Sequence, residues 1–519
     1  MKHALVTALV AGTLATATMH SELRTTAGQS CESLASLTLP NATITLAQAV
    51  GSGSFIPPNP AGPAAAPPAP TPAFRDLPAF CRVAATLKPS SDSDIKVEVW
   101  MPTSGWNGKF QAVGNSGWAG ANSYSAMADA LKRGYATAST DTGHVGGTGA
   151  FALGHPEKYI DFGYRSPHEM AVLAKAIIAG HYLTAAKHSY WNGCSTGGRQ
   201  GLMEAQRFPA DFDGIIAGAP ANPRSAVNAL QLSFTQVLLK DDASFIPPAK
   251  YRLIHQAVVE ACDALDGVKD DLIADPTRCQ FDPRVLQCKG EESPTCLTTA
   301  QVESARTLLS PARSRKTGEE LFPGYEPGAE LDLADPRAFG SKDAITRPVD
   351  HFKYVVFKDP NWDWRTFDLD RDLAKANEVD HGISNVTNPD LKKFAGNGGK
   401  LLMYHGWADG AVPPRASVNY YTSVVNTAGG LAKTGSWVRL FMVPGMHHCS
   451  GGEGPNTFDV VGALDQWVEQ GTAPDQIVAS HLTNGKIDRT RPLCPYPQVA
   501  EYKGTGTTDD ATNFICKRR

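Results

Sequence analysis

Beyond residue 20 this 519-residue chain has no apolar run long enough to cross a membrane. It also lacks a dominant charge sign. Against 48 Lys and Arg stand 52 Asp and Glu, a net charge of −4, which argues against nucleic acid or an anionic membrane surface as partner. No internal repeat is visible. What is present is the composition of a globular protein, with 42% hydrophobic residues. At this length, two domains or a core with a large insertion is expected.

The one long apolar stretch, Ala4 to about Ala15, follows Lys2 and His3 and precedes the small residues Ala15-Thr16-Ala17. It reads as a secretory signal occupying residues 1–17, and hence as the mark of an exported protein. Ten cysteines, an even number, agree with an oxidising compartment. Spacing favours the local pairs Cys262–Cys279, Cys288–Cys296 and Cys494–Cys516. Cys31–Cys81 would tie down the N-terminal segment, leaving Cys194 and Cys449. Sequons stand at Asn41 and Asn385.

After a Pro/Ala-rich segment (Ile56 to Phe74), strand and helix signals alternate, which predicts a mainly parallel sheet with helices on both faces. Strands are expected at "IKVEVWMP" (Ile95 to Pro102), "KFQAVG" (Lys109 to Gly114), "YATASTD" (Tyr135 to Asp141) and "FDGIIAGAP" (Phe212 to Pro220). A helix with a Ser166 cap and Pro167 at its first position is expected over Ser166 to Tyr182. From Ala221 to about Gly398 the alternation stops, and it resumes with "GGKLLMYHGWADGAVPP" and "SWVRLFMVPGMHHCSGG". An interrupted and resumed sheet predicts an inserted lid.

Within "YWNGCSTGGRQG", Gly193-Cys194-Ser195-Thr196-Gly197 fits G-x-S-x-G, in which a serine sits on a strained strand-to-helix turn. Such a serine needs a histidine base and an orienting acid, which follow later in the chain after other strands. Asp409 stands after "KLLMYHGW", and His447 and His448 stand after "WVRLFMVP". Asp141 and Asp213 are weaker acid candidates. A Cys194–Cys449 bond would bring Ser195 and His448 together, since bridged Cα atoms lie about 4.4–6.8 Å apart. That favours His448 over His447.

Cys194-Ser195, Asp409 and His448-Cys449, with "GCSTGGRQG", "HGWADGAVPP" and "GMHHC" around them, resemble the CS-D-HC motif of the tannase and feruloyl esterase family. The resemblance runs from about Cys31 to Cys516. It implies an α/β-hydrolase core (residues 18–221 and 398–519), a lid (222–397), and hydrolysis of small aromatic carboxylic esters. Within that class hydroxycinnamate esters come ahead of galloyl esters. The same family includes the hydrolase of mono(2-hydroxyethyl) terephthalate, which has Glu after its serine where this chain has Thr196, and hydrolysis of that monoester is the runner-up reading. A reading from another class is an inactive, calcium-stabilised binding protein. The backbone N–H of Thr196 is the expected first oxyanion donor. Gly117, in "GNSGWAG" (Gly114 to Gly120), is the expected second.

The segment Cys262 to Cys279 clusters Asp263, Asp266 and Asp270, which would repel one another without a cation. Hard oxygen ligands suit a structural Ca²⁺. The resemblance adds backbone oxygens of Val268 and Leu272. No organic cofactor is expected. The aromatic-rich stretch Lys353 to Asp368 is expected to be lid core rather than substrate pocket.

Overall fold

The computed structural model describes Met1 and residues 29–58, 72–118 and 120–518. The expected signal segment, apart from Met1, lies outside the described residues, as does most of the Pro/Ala-rich segment.

Nine strands form one sheet: β1 (Ala42–Val50), β2 (Phe80–Leu87), β3 (Ile95–Pro102), β4 (Lys109–Val113), β5 (Ala136–Thr140), β6 (His188–Cys194), β7 (Gly214–Gly218), β8 (Lys400–Gly406) and β9 (Val438–Val443). Their order is β1-β2-β3-β5-β4-β6-β7-β8-β9. From β5 to β9 every neighbouring pair is parallel, while β1, β2 and β3 join antiparallel at one edge. The central strands are buried on both faces because helices cover both. This is why β7 ("GIIAG") is a continuous apolar or small run and β8 ("KLLMYHG") carries the apolar run Leu401 to Tyr404. The edge strand β1 instead mixes exposed and half-buried positions.

The helix Ser166–Tyr182 packs on this sheet through Met170, Leu173, Ile177 and Ile178. Its start differs from the expectation. A wider turn over Asp161–Arg165 runs directly into it, so the Ser166 hydroxyl donates to the Asp161 carbonyl at 2.8 Å and caps nothing. Arg165, ion-paired with both Asp161 and Glu157, holds that extra turn in place.

Between β7 and β8 the chain leaves the sheet for some 180 residues (219–399). Helices Arg224–Leu238, Pro248–Cys262 and Thr299–Leu308 there build a second hydrophobic cluster around Leu230, Phe234, Tyr251 and Tyr325. The aromatic-rich stretch belongs to it: Phe352 lies 4.8 Å from Phe367, and Phe357 lies 5.0 Å from Trp362, between ring centroids. Val412 and Ala416, just after β8, pack into the same cluster.

All ten cysteines are bridged: Cys31–Cys81, Cys194–Cys449, Cys262–Cys279, Cys288–Cys296 and Cys494–Cys516. Among the described residues no helix is long and apolar enough to cross a membrane. The Asn385 sequon is closed to modification in this fold. Its side chain is buried and its Nδ2 donates to Ser225 Oγ at 3.0 Å.

Candidate active site

Ser195 sits between β6 and the helix Thr196–Arg207 with φ 62° and ψ −120°, outside the regions an ordinary L-residue prefers. The turn is possible because the nearby Gly193, Gly197 and Gly198 have no side chains. A Cβ on Gly198 would lie 2.2 Å from the Gly218 carbonyl, and one on Gly193 would lie 2.5 Å from the Gly197 backbone. The helix therefore starts hard against β7, with Ser195 at the sheet's C-terminal edge. That edge is where α/β sheets carry their chemistry.

Thr196 is the first residue of that helix, so its N–H has no intrahelical acceptor. Its hydroxyl donates to the Gly117 carbonyl at 2.9 Å. Gly117 has φ +56°. Two more bonds pin the loop that follows β4. The Asn115 N–H donates to Gln200 Oε1 at 3.0 Å, and the Gly197 N–H donates to the Asn115 carbonyl at 2.8 Å.

Cys194 and Cys449 have Cα atoms 6.0 Å apart, so the residues beside Ser195 and His448 are covalently joined. His448 Nδ1 meets Asp409 Oδ2 at 2.7 Å. This leaves Nε2 as the ring nitrogen available to a hydroxyl. Asp409 is fully buried. Its Oδ1 accepts the N–H groups of Ala411 (2.8 Å) and Val412 (2.7 Å). Burial alone would raise its pKa, but the charge of His448 and hydrogen bonds from His405 and His448 outweigh it. The carboxyl is held well below its usual range. Burial likewise opposes the protonated form of His448, yet Asp409 and then Asp332 raise it above the ordinary histidine value.

The two weaker acid candidates are placed elsewhere. Asp213 precedes β7, at the opposite edge, and accepts the Ser189 N–H. Asp141 accepts from the Lys96 and Gly143 N–H groups. His447 contacts Glu453 at 3.3 Å and Asp332 at 3.8 Å rather than Asp409.

Four contributors escaped the sequence reading. His405 is fully buried. Its Nε2 lies 3.0 Å from Asp409 Oδ2 and 3.1 Å from the Val412 carbonyl, and its Nδ1 lies 2.7 Å from Ser417 Oγ. Both neighbours of Nε2 are acceptors, so that nitrogen carries the proton and Nδ1 accepts from Ser417. Its signal was available: it precedes Asp409 by four residues in "HGWAD". Asp332, from the segment between β7 and β8, accepts the N–H groups of Gly410 (2.7 Å) and His448 (3.2 Å). Gln200 and Arg224 are the others, and no local pattern marks either.

Ser195, Thr196, Gly117 and His448 line one cavity of about 490 Å³, together with Arg224 and Arg347. Among the described residues its wall has no Phe, Tyr or Trp, so the aromatic-rich stretch does not reach it.

The Cys262–Cys279 segment holds the five expected calcium ligands, and its carboxylates take protein partners. Asp263 accepts the N–H groups of Asp270 (3.2 Å), Asp271 (3.1 Å) and Leu272 (3.3 Å). Asp266 Oδ1 accepts the Val268 N–H at 2.8 Å, and Asp270 is ion-paired with Arg491. Like charges in one short loop thus each take a separate partner. One feature fits a hard cation: Asp270 Oδ1 is buried without a hydrogen-bond partner among the described residues. Among the described residues, a potential ligand triad whose atoms lie within 4.8 Å of one another is found elsewhere, at His168, Glu204 and Asp211.

A family model described as tannase and feruloyl esterase matches residues 81–517. An uncharacterized esterase of Xanthomonas campestris pv. campestris is 38% identical over 95% of this chain and 92% of its own length. The crystal structure of feruloyl esterase B from Aspergillus oryzae is similar with a TM-score of 0.87 and 34% identity, covering 94% of this chain and 99% of that one. A tannin acyl hydrolase from Aspergillus niger shares the fold, with a TM-score of 0.77 at 22% identity over 95% and 97% of the two chains.

Proposed function

Because the chain belongs to the tannase and feruloyl esterase family, and is a carboxylic ester hydrolase with an α/β-hydrolase fold, we propose that it cleaves aromatic esters by a Ser195–His448–Asp409 triad. Hydroxycinnamate esters come ahead of galloyl esters as substrates. The observation that carries the reading is the strained Ser195 beside a histidine whose Nδ1 is held by a buried carboxylate.

In this mechanism Ser195 Oγ attacks the ester carbonyl carbon while His448 Nε2 takes its proton. The oxygen of the tetrahedral intermediate is held by the Thr196 N–H, with Gly117 N–H as the second donor. The C–O bond to the alcohol breaks, and the alcohol leaves with the proton from His448. Water, deprotonated by the same nitrogen, then releases the acid from Ser195. Asp409 fixes the tautomer and balances the imidazolium. Its other donors, His405 and two backbone N–H groups, keep it ionised and in place.

The enzyme is proposed to be exported, which ten bridged cysteines favour. A structural Ca²⁺ in the Cys262–Cys279 loop would be held by Asp263, Asp266, Asp270 and the carbonyls of Val268 and Leu272. The orphaned Asp270 Oδ1 supports it.

Hydrolysis of methyl ferulate, methyl gallate and mono(2-hydroxyethyl) terephthalate tests the reading, with Ser195→Ala as control. The expected result is turnover of the first or second that falls by several orders of magnitude in a folded Ser195→Ala protein. Substantial turnover by the variant would overturn the nucleophile assignment.

A further inference from the structure

Three side chains that can ligate a metal meet at the other end of the helix that begins beside Ser195. Glu204 lies in the last turn of that helix, Thr196–Arg207. His168 lies in the first turn of the helix Ser166–Tyr182, and Asp211 lies in the loop before β7. One ligand atom from each is within 4.8 Å of the other two. His168 Nδ1 stands 2.6 Å from Asp211 Oδ2, and these two side chains are 28% and 14% exposed, so water reaches both. Glu204 is 1% exposed, and among the described residues neither of its carboxylate oxygens has a hydrogen-bond partner.

A buried carboxylate is ordinarily paired or hydrogen-bonded, because removing it from water is costly. Buried Glu98 shows the usual solution, accepting from Arg82, Trp100 and Tyr124. Glu204 has no such partner. Lys175, whose charge favours its ionised form, commits its ammonium group to the Asp211 backbone carbonyl. Burial, and then the charge of Asp211, oppose that ionised form. Two carboxylates and an imidazole turned toward one another call for a positive charge among them. A proton shared between Glu204 and Asp211 would leave one Glu204 oxygen unmet, whereas a divalent cation draws on all three residues.

We propose that His168, Glu204 and Asp211 bind a divalent transition-metal ion, Zn²⁺ by the chemistry of the donors, which fastens the helix Thr196–Arg207 to the helix Ser166–Tyr182. One imidazole nitrogen and two carboxylate oxygens form a Zn²⁺ donor set, and the two carboxylates balance the dication. Three protein ligands leave a fourth position for water, on the side where His168 and Asp211 meet solvent. Two donors about 2.0–2.1 Å from one Zn²⁺ stand about 3.3 Å apart, so the His168–Asp211 contact need open by less than about 1 Å. The donors are already oriented. The His168 ring stacks on Phe208 with centroids 3.8 Å apart, and the Asp211 N–H donates to the Phe208 carbonyl at 3.0 Å.

The test is calorimetric titration of the metal-stripped full chain with Zn²⁺ in saturating Ca²⁺, so that the Cys262–Cys279 loop does not contribute. One Zn²⁺ per chain should bind with a Kd of about 1 μM or below. At about a hundredfold excess of free ion over Kd the melting temperature should rise by about 2–3 °C. His168→Ala and Glu204→Gln should each weaken binding by at least about tenfold, the least that loss of even a supporting partner costs at such sites. Asp92→Asn, which breaks the exposed His155–Asp92 pair, should leave binding unchanged. Co²⁺ in place of Zn²⁺ should give a visible absorption band that His168→Ala abolishes. Wild-type protein that binds no Zn²⁺ more tightly than about 100 μM would overturn the proposal without any variant, and would assign the buried charge to a proton between Glu204 and Asp211. Tight binding undiminished in His168→Ala would also overturn it, by placing the ion elsewhere.

Discussion

Replacing both Cys194 and Cys449 with alanine tests how the site is held together. The bridge closes a loop with a sequence separation of 255. In the chain-entropy model a loop of that size is worth about 5 kcal/mol, an upper value because native strain commonly reduces it. The bridges inside the loop, Cys262–Cys279 and Cys288–Cys296, shorten it by only 17 and 8 positions, and a logarithmic dependence makes that correction small. Catalysis should be the more sensitive readout. His448 keeps two other ties, Asp409 on its ring and Asp332 on its N–H, so it should shift rather than come free. A displacement of about 1 Å costs on the order of a hundredfold in kcat. The assay is kcat on protein shown folded by circular dichroism, with non-reducing peptide mapping to confirm that the other four bridges form. A double mutant with a lowered melting temperature but full kcat would refute the claim that the bridge positions the base.

Asp332→Asn removes one of the charges that raise His448. The base must be unprotonated to accept a proton, so activity rises as pH passes its pKa. The acid limb of kcat/KM should therefore move to lower pH in the variant, and an unmoved limb would deny Asp332 an electrostatic role. His405→Phe strips Asp409 of a donor and leaves the Val412 carbonyl without its partner. A fall in kcat of about tenfold or more is expected from the loss of a charged hydrogen bond, with partial recovery in His405→Gln. Ser417→Ala, which frees the His405 tautomer, should lower kcat in the same direction, and full activity in both His405→Phe and Ser417→Ala would rule the relay out. Chelation of Ca²⁺ should lower the melting temperature of the wild type and leave that of Asp266→Ala unchanged, whereas indifference of the wild type would count against the ion.

The sequence by itself determined the sheet's central strands and the helix Ser166–Tyr182. Continuous apolar runs and helical apolar spacing are local consequences of burial on two faces or one. It also marked the turn at Ser195, because glycines flanking a non-glycine residue leave a steric signature in a few consecutive letters. The cysteine pairs could be reasoned from spacing, since four of them close loops with separations of 50 or less.

Only the tertiary structure decided which side chains meet. Gln200 holds the loop after β4 from 85 residues away, Asp332 reaches the His448 N–H across 116, and Ser225 closes the Asn385 sequon across 160. None of these has a periodicity or a turn to announce it, because a polar partner is chosen by where two distant backbones happen to converge. The same holds for the acidic loop. Its letters specify five carboxylates in one cysteine-closed segment, but the fold brings Arg491 to one of them and backbone N–H groups to another. It holds for Arg224 as well, a basic residue unremarkable in the sequence. The fold buries it on Trp118, in the wall of the cavity that Ser195 lines.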